Sequence, residues 1–225
     1  ALGYAAREAL EHPTKALAEF VSGTRYDDLP QPVVHEAKRL LLDIIGNALG
    51  GYLTEIGTAA AGYVRSQGGR PECTLIGYGD KTSAVNAAYC NARTGDALDA
   101  TDMLMNLAHI GCPTVTSALA LCEQRRAPGK ELLASIALGF EVGARLAVAC
   151  GFPPPGGALP PARRMPAIEF AAAAAAARAL ELTADETAHA FGITGANAPI
   201  LGAARYQDAT ILPTIKYADV GIMAV

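Results

Sequence analysis

Tryptophan is absent from this 225-residue chain, and aromatic residues make up only 6% of it. A core therefore has to be built from alanine, leucine, isoleucine and valine, and small residues of this kind let helices approach one another closely. The sequence also lacks a large excess of either charge, because the formal net charge is -4 and no run of lysine or arginine exceeds two. Such a surface does not neutralise a row of phosphates or an anionic bilayer, so neither nucleic acid nor a membrane is an expected partner.

Paired cysteine motifs are lacking as well. The five cysteines are an odd number, widely spaced, with no Cys-x-x-Cys pair and no histidine at metal-ligand spacing. This pattern indicates reduced, mostly buried thiols in a cytoplasmic protein, and it predicts no metal site. Cys112 differs from the others only in lying beside a candidate site. Apolar stretches are interrupted well short of the about 20 residues that cross a bilayer, and no glycine-rich segment has phosphate-loop spacing.

Apolar residues recur at helical spacing along most of the chain. Glycine, proline and polar residues punctuate these segments, and Thr183 with Glu186 forms a capping box that predicts one more helix start. The run at 73–79 is β-rich and short enough for one strand of a small hairpin. The sequence therefore predicts an all-α fold, a large helical bundle with at most one short β-hairpin, over residues 1–225. The helices are expected at 12–23, 33–51, 58–67, 83–93, 114–123, 130–149 and 167–180.

Two segments depart from this pattern. Residues 151–166 hold six prolines and three glycines, and a loop of that length inside a compact domain is usually functional or mobile. The last predicted helix starts after Pro213 and reaches Val225 without a cap or a breaker. This ending predicts that the chain is one part of a larger protein, either a fragment or a subunit that another chain completes.

Acidic residues and a histidine cluster between the fourth and fifth predicted helices. Asp96, Asp99 and Asp102 recur every third residue, which places them near one face if the segment is helical. His109 precedes the next helix, whose first amide groups attract anions. An acid–base histidine beside carboxylates suits a carboxylate substrate. On spacing alone, a solvated acidic turn with a capping aspartate and a hydrogen-bonded histidine is the more common arrangement.

Further candidate residues lie near the end of the chain and in the proline-rich loop. Lys216 can pair with a substrate carboxylate and Tyr217 can donate a proton, although a lysine whose stem covers apolar surface is more common. Arg163 and Arg164 can clamp a carboxylate or simply keep the loop soluble. The remaining histidines have no partner set and are predicted to be structural or exposed; they are His12, His35 and His189.

Several stretches, in matching order and spacing, resemble the MmgE/PrpD family of 2-methylcitrate dehydratase, cis-aconitate decarboxylase and iminodisuccinate epimerase. The resemblance begins with LPQPVVHEAKRLLLDIIGNALGG and TLIGYGDKTSAVNAAYCNARTGDALDATD. It continues through HIGCPTVTSALALCE, GKELLASIALGFEVGARLA and AAAAAAARALELTADETAHAFGITGANA. The family resemblance implies a large helical domain followed by a smaller α+β lid domain, and the lid is absent from these 225 residues.

The resemblance also implies site residues. The family's active-site aspartate falls on Asp99, its catalytic histidine on His109 and its lysine on Lys216. Asp102, Arg163, Arg164 and Tyr217 are then expected to bind substrate. Three positions depart from the family pattern: Thr101-Asp102-Met103 stands where the family has Asp-Asp-Thr, Pro153 replaces a second histidine, and Asp219 stands where a histidine is common.

The chemistry that the resemblance implies needs no metal or cofactor. A proton is abstracted next to a carboxylate, and elimination, decarboxylation or reprotonation follows, with cationic groups placed where charge develops. The leading expectation is a lyase of dehydratase or decarboxylase type acting on a small di- or tricarboxylate. An epimerase or isomerase, and a non-catalytic subunit of a split enzyme, are the alternatives. A homodimer, or a hetero-oligomer with a second chain carrying the lid half, is the expected assembly.

Overall fold

The computed structural model describes residues 12–104, 109–149 and 167–197, which form eight α-helices and one two-stranded hairpin. In the hairpin, β1 (Cys73–Thr74) pairs antiparallel with β2 (Lys81–Thr82). This arrangement confirms the predicted all-α fold class with one short hairpin. The helices are α1 Pro13–Gly23, α2 Gln31–Gly51, α3 Glu55–Gln67, α4 Ala84–Asp96, α5 Gly111–Arg125, α6 Gly129–Ala149, α7 Ala167–Ala179 and α8 Ala184–Asn197.

Helix α7 lies at the centre of the described bundle. Every residue of the helix except Phe170 is buried, including the seven consecutive alanines Ala171–Ala177. Apart from Glu169 and Arg178, its side chains are apolar, and a helix of this kind is stable in water only when other helices surround it. Helices α5, α6 and α8 all pack against α7, while α2 packs on α4 and α4 packs on α5. The alanine-rich composition thus builds a core from closely spaced backbones, as the sequence predicts.

Two glycines of α6 bring its backbone against α7. A Cβ atom at Gly139 would lie 2.7 Å from the carbonyl oxygen of Ala171 and 2.7 Å from the Cβ atom of Ala175. A Cβ atom at Gly143 would lie 2.7 Å from the Cβ atom of Ala171. Real side chains do not approach this closely, so the spacing between α6 and α7 depends on glycine at both positions.

Helix α6 is also the most apolar long helix of the described residues. By length and composition alone it could cross a bilayer, with a mean hydropathy of 1.7 over 18 residues, even though Glu141 interrupts its apolar run. The same composition is found in core helices. Helix α6 buries Ala134, Ile136, Leu138 and Val142 within the bundle, as a core helix does.

Glu123 of α5 binds both strands of the hairpin. Glu123 accepts a hydrogen bond from the backbone N–H of Thr74 at 2.8 Å and pairs with the ammonium group of Lys81. Burial alone would raise the pKa of Glu123, but the hydrogen bonds from Lys81 and Thr74 outweigh it and lower the pKa. The charged form of Glu123 therefore stabilises the attachment of the hairpin.

Local side-chain caps set the starts of α3, α4 and α8. Thr183 and Glu186 form the predicted capping box, with Glu186 accepting from the Thr183 N–H at 2.9 Å. Helix α3 begins three residues before its predicted start because the Thr54 hydroxyl accepts a hydrogen bond from the Gly57 N–H at 3.1 Å. The proline-rich loop at 151–166 and the predicted helix after Pro213 lie outside the described residues.

Candidate functional site

The acidic segment after α4 is a turn, so the expectation that its three aspartates share a helical face is wrong. Helix α4 ends at Asp96, which is buried, and Asp99 has a φ angle of 48°, a left-handed conformation that does not continue a right-handed helix. Asp99 is exposed and Asp102 is half-buried. The three carboxylates therefore have different surroundings, even though their spacing in the sequence is regular.

Asp102 caps the following helix. One carboxylate oxygen, Oδ1, accepts a hydrogen bond from the N–H of Gly111, the first residue of α5, at 2.9 Å. Helix α5 therefore begins at Gly111, three residues before its predicted start. A Cβ atom at residue 111 would lie 2.2 Å from Oδ1 of Asp102 and 2.5 Å from Leu40, so this contact requires glycine.

The carboxyl group of Asp102 is held in an environment that disfavours its charge. Burial raises its pKa to about 6, the hydrogen bonds from the Gly111 and Ile110 backbone lower it, and the nearby charge of Asp43 raises it. The second oxygen, Oδ2, is buried and has no hydrogen-bond partner among the described residues. A carboxyl group with this pKa exchanges its proton near neutral pH, which suits either acid–base work or a pH-dependent cap.

His109 forms a hydrogen bond with Thr101, the residue before Asp102. Its ring nitrogen Nδ1 lies 3.3 Å from the hydroxyl oxygen of Thr101, and the ring is half-buried. Thr101 and Asp102 thus hold His109 and Gly111 through two hydrogen bonds, one to a ring and one to the backbone. We refer to these four residues as the clamp. The clamp places an imidazole at the start of α5, as the sequence predicts.

A cavity of about 680 Å³ adjoins the clamp. It lies between α2, the turn after α4, and α6, and both Thr101 and Asp102 line it. Leu40 of α2 and Phe140 of α6 contribute apolar wall. A volume in this range holds a small organic molecule, and an apolar wall with a few polar groups is typical of ligand sites.

The described wall of the cavity is acidic. Glu36, Asp43 and Glu141 line it together with Asp102, whereas Arg39 is the one cation among the described lining residues. Arg39 already pairs with Glu36 at 2.9 Å. A carboxylate ligand therefore needs cations from other parts of the chain or from a partner. The predicted cationic residues Arg163, Arg164 and Lys216, and Tyr217 with them, lie outside the described residues.

The described cysteines pack in the interior and do not form part of the candidate site. Cys73, Cys90, Cys112 and Cys122 are buried and free, as predicted, and Cys150 lies outside the described residues. Burial raises the pKa of Cys112 well above its ordinary value, so its thiol stays protonated and unreactive near neutral pH. Within the described ranges, no group of three His, Cys, Asp or Glu side chains is placed to hold a metal ion.

Two residues of the clamp were not predicted as functional. In the sequence, Thr101 is notable only as a departure from the family's Asp-Asp-Thr, and Gly111 only as a helix breaker. Both contacts join residues eight or nine positions apart across a turn. Local motifs cannot show such contacts. The predicted histidines His12, His35 and His189 are exposed.

Comparison with known proteins identifies the family of this chain. The family model described as MmgE/PrpD N-terminal domain matches residues 15–225. No curated protein matches the chain. Because the family model spans nearly the whole sequence, this chain belongs to the MmgE/PrpD family and represents its N-terminal domain.

Proposed function

We propose that this chain is the helical part of a lyase, of dehydratase or decarboxylase type, that acts on a small di- or tricarboxylate. Membership of a family that includes dehydratases and related enzymes supports enzymatic activity. The observation that carries the proposal is the clamp, which fixes an imidazole at the start of α5 and contributes Thr101 and Asp102 to the wall of a cavity large enough for such a substrate.

The proposed reaction starts with a proton on the carbon next to a substrate carboxylate. In the dehydratase reaction, His109 takes this proton as the base, the C–H electron pair forms a carbon–carbon double bond, and the hydroxyl on the neighbouring carbon leaves as water with a proton from the imidazolium or from solvent. In the decarboxylase reaction, the bond from carbon to a carboxylate breaks, carbon dioxide leaves, and the imidazolium returns the proton to the carbon that keeps the electron pair. Asp99 orients or polarises the substrate, and Lys216, with Arg163 or Arg164, holds its carboxylates. The acidic wall of the cavity makes these cations essential to the proposal, because the described lining offers only Arg39.

Replacing the base tests the proposal directly. In the complete natural assembly, we expect His109→Ala to lower turnover of the best di- or tricarboxylate substrate about a hundredfold or more, since acid–base groups contribute on that scale. His189→Ala is the matched control, because His189 is exposed and lies on α8, away from the clamp. Wild-type turnover in His109→Ala would rule out the proposed base.

An epimerase or isomerase is the second candidate. The family resemblance places Pro153 at the position of a second histidine and Asp219 where a histidine is common, so His109 is the acid–base histidine that the proposed site keeps. One base suffices for deprotonation and reprotonation without a leaving group. In deuterated water, an epimerase incorporates deuterium into otherwise unchanged carboxylate, whereas a lyase releases a product with a double bond or loses carbon dioxide. Mass and proton spectra of the recovered substrate distinguish the two.

We further propose that the protein works in the cytoplasm as a homodimer, or as a hetero-oligomer with a chain that carries the lid half. Four buried free thiols suit a reducing compartment. Leu42, Leu49 and Leu53 are 72%, 50% and 75% exposed on or beside α2, and such residues favour an interface. Native mass spectrometry of the protein from its natural source identifies the assembly. A monomer would contradict the proposed assembly, and a catalytically silent complex would favour the non-catalytic subunit.

A further inference from the structure

The hydroxyl group of Thr101 is nearly removed from solvent, with the residue 9% exposed, and its oxygen faces Nδ1 of His109 at 3.3 Å. The neighbouring residue Asp102 fixes the backbone of Gly111, two positions after His109. The imidazole is therefore restrained through its own ring and through the chain that follows it. Such restraint is what a proton-transfer group requires if its reacting nitrogen is to stay in place.

The protonation state of the imidazole determines whether Thr101 or His109 can be the donor of this hydrogen bond throughout a proton transfer. Neutral imidazole has one N–H donor and one acceptor nitrogen, whereas both nitrogens of imidazolium are donors. A threonine hydroxyl can donate to Nδ1 only while the ring is neutral. If Nδ1–H donates to the Thr101 oxygen instead, the bond persists when Nε2 gains or loses a proton. Only this second direction holds His109 in place in both charge states.

We propose that Thr101 is a positioning residue that accepts a hydrogen bond from Nδ1–H of His109 and so assigns proton transfer to Nε2. This inference rests on the proposed function, since it names the nitrogen through which His109 acts. The hydroxyl brings no charge of its own, so it selects the tautomer without adding a carboxylate to the wall that already contains Glu36, Asp43 and Glu141.

The tautomer of His109 can be measured without any substrate. In nitrogen-labelled protein at alkaline pH, where imidazoles are neutral, the chemical shifts of the two ring nitrogens show which one carries the proton. We expect His109 to be mainly in the Nδ1–H form. The exposed His12, His35 and His189 serve as internal references for an unrestrained ring, and His109→Gln identifies the His109 signals.

Two substitutions separate the hydroxyl from the shape of the side chain. Thr101→Val keeps the shape and removes the hydroxyl, so His109 is expected to shift toward the tautomer mixture of the exposed histidines. Thr101→Ser keeps the hydroxyl and is expected to retain the wild-type shifts. Thr116→Val is the matched control, because Thr116 is a buried threonine of α5 whose hydroxyl donates to the Cys112 carbonyl at 2.9 Å. It should leave the His109 spectrum unchanged.

The outcomes are decisive in both directions. Nδ1–H enrichment that Thr101→Val removes and Thr101→Ser preserves supports the proposal. A wild-type His109 with the same tautomer mixture as the exposed histidines, or one that Thr101→Val does not change, overturns it. If Thr101→Val fails to fold, the wild-type and Thr101→Ser spectra still decide, because both must show the Nδ1–H form.

Turnover is a second measurement, and it distinguishes a failure of the positioning role from a failure of the proposed function. With the best di- or tricarboxylate substrate, Thr101→Val should lower kcat about tenfold with little change in KM, and Thr101→Ser should keep the wild-type kcat. If His109→Ala keeps wild-type turnover, the proposed function fails whatever the spectra show. If His109→Ala is inactive but Thr101 leaves the tautomer unchanged, only the positioning role fails.

Discussion

The contact between α6 and α7 and the turn that carries the clamp are built in opposite ways. Gly139 lies directly against Ala171 and Ala175, and every contact there is apolar or backbone. Across the turn, by contrast, Asp99 has a left-handed backbone and Asp102 has a buried oxygen with no partner among the described residues. The first region gains stability from close fit, whereas the second retains groups that cost stability.

This difference shows where function is to be sought in a chain whose interior is so uniform. Buried polar groups without full hydrogen bonding are costly, and proteins retain them mainly where they serve a purpose. The helix contact at Gly139 offers no chemistry, since the nearest atoms are methyl groups and a backbone carbonyl. Substitutions in the two regions should therefore differ in sign as well as in size.

The largest expected effect comes from filling the closest helix contact. Gly139→Val places a branched side chain where even a Cβ atom would lie 2.7 Å from the Ala171 carbonyl oxygen. We expect the free energy of unfolding to fall by about 3 kcal/mol or more, because overpacking forces the two helices apart. Chemical denaturation measures this change.

Gly62→Val provides the control for that substitution. Gly62 is also a helical glycine, in α3, but no atom lies within 4 Å of the position of its Cβ atom. Because valine has a slightly better helix propensity than glycine, we expect a change within about 0.5 kcal/mol. Equal losses in both variants would mean that valine itself, and not the α6–α7 contact, is responsible.

A smaller effect, with the opposite sign, is expected at the cap of α5. The pKa of Asp102 is about 6 in the folded protein against an ordinary value of 3.8, so the folded state keeps this proton longer than the unfolded state. The contribution of Asp102 to stability is therefore lost as the pH rises from about 4 to about 6. Asp102→Asn removes the ionisation while its amide oxygen can still accept the Gly111 N–H.

We expect Asp102→Asn to gain stability relative to wild type as the pH rises, by about 2 kcal/mol between pH 4 and pH 7, since one pKa unit corresponds to about 1.4 kcal/mol. Denaturation curves of both proteins across this range measure the difference. Glu123→Gln should show the reverse trend, because Lys81 and Thr74 lower the pKa of Glu123. A pH-independent difference for Asp102→Asn would contradict the assigned pKa shift.

The smallest expected effect on stability is at two residues whose backbone is in the left-handed conformation, Arg126 and Asp99. Arg126 ends α5 with a φ angle of 54° and is exposed, so Arg126→Gly should stabilise the protein by about 0.5 to 1 kcal/mol and leave turnover unchanged. Asp99→Gly likewise removes the strain of a side chain in the left-handed conformation. It also removes a carboxylate predicted to be catalytic, so turnover should fall. Thermal unfolding and the substrate assay together test this pair. Equal turnover in the two variants would argue against a catalytic Asp99.

Most of the fold follows from local signals in the sequence. Helix α8 begins at its capping box because Thr183 and Glu186 are only three residues apart, and α7 is identifiable from its alanine run. His109 also lies just before α5, as the sequence indicates, while its catalytic role stays a prediction. These features depend on residues within one or two turns of each other, which is the range over which sequence patterns carry structural information.

The clamp could not be predicted in the same way. The cap of α5 comes from Asp102, nine residues before Gly111, and the partner of His109 is Thr101, eight residues earlier. The regular spacing of Asp96, Asp99 and Asp102 indicated a shared face, but the left-handed backbone of Asp99 separates them. Which residues meet across a turn depends on its path, and no periodicity in the sequence encodes that path.

The clamp has a consequence for how substitutions act at this site. Its two hydrogen bonds join residues 101 and 102 to residues 109 and 111, so the position of the imidazole depends on residues that lie eight or nine positions earlier in the chain. A replacement at Thr101 or Asp102 can therefore displace the ring while His109 itself is unchanged. During evolution, these two pairs of positions are expected to vary together and not one at a time.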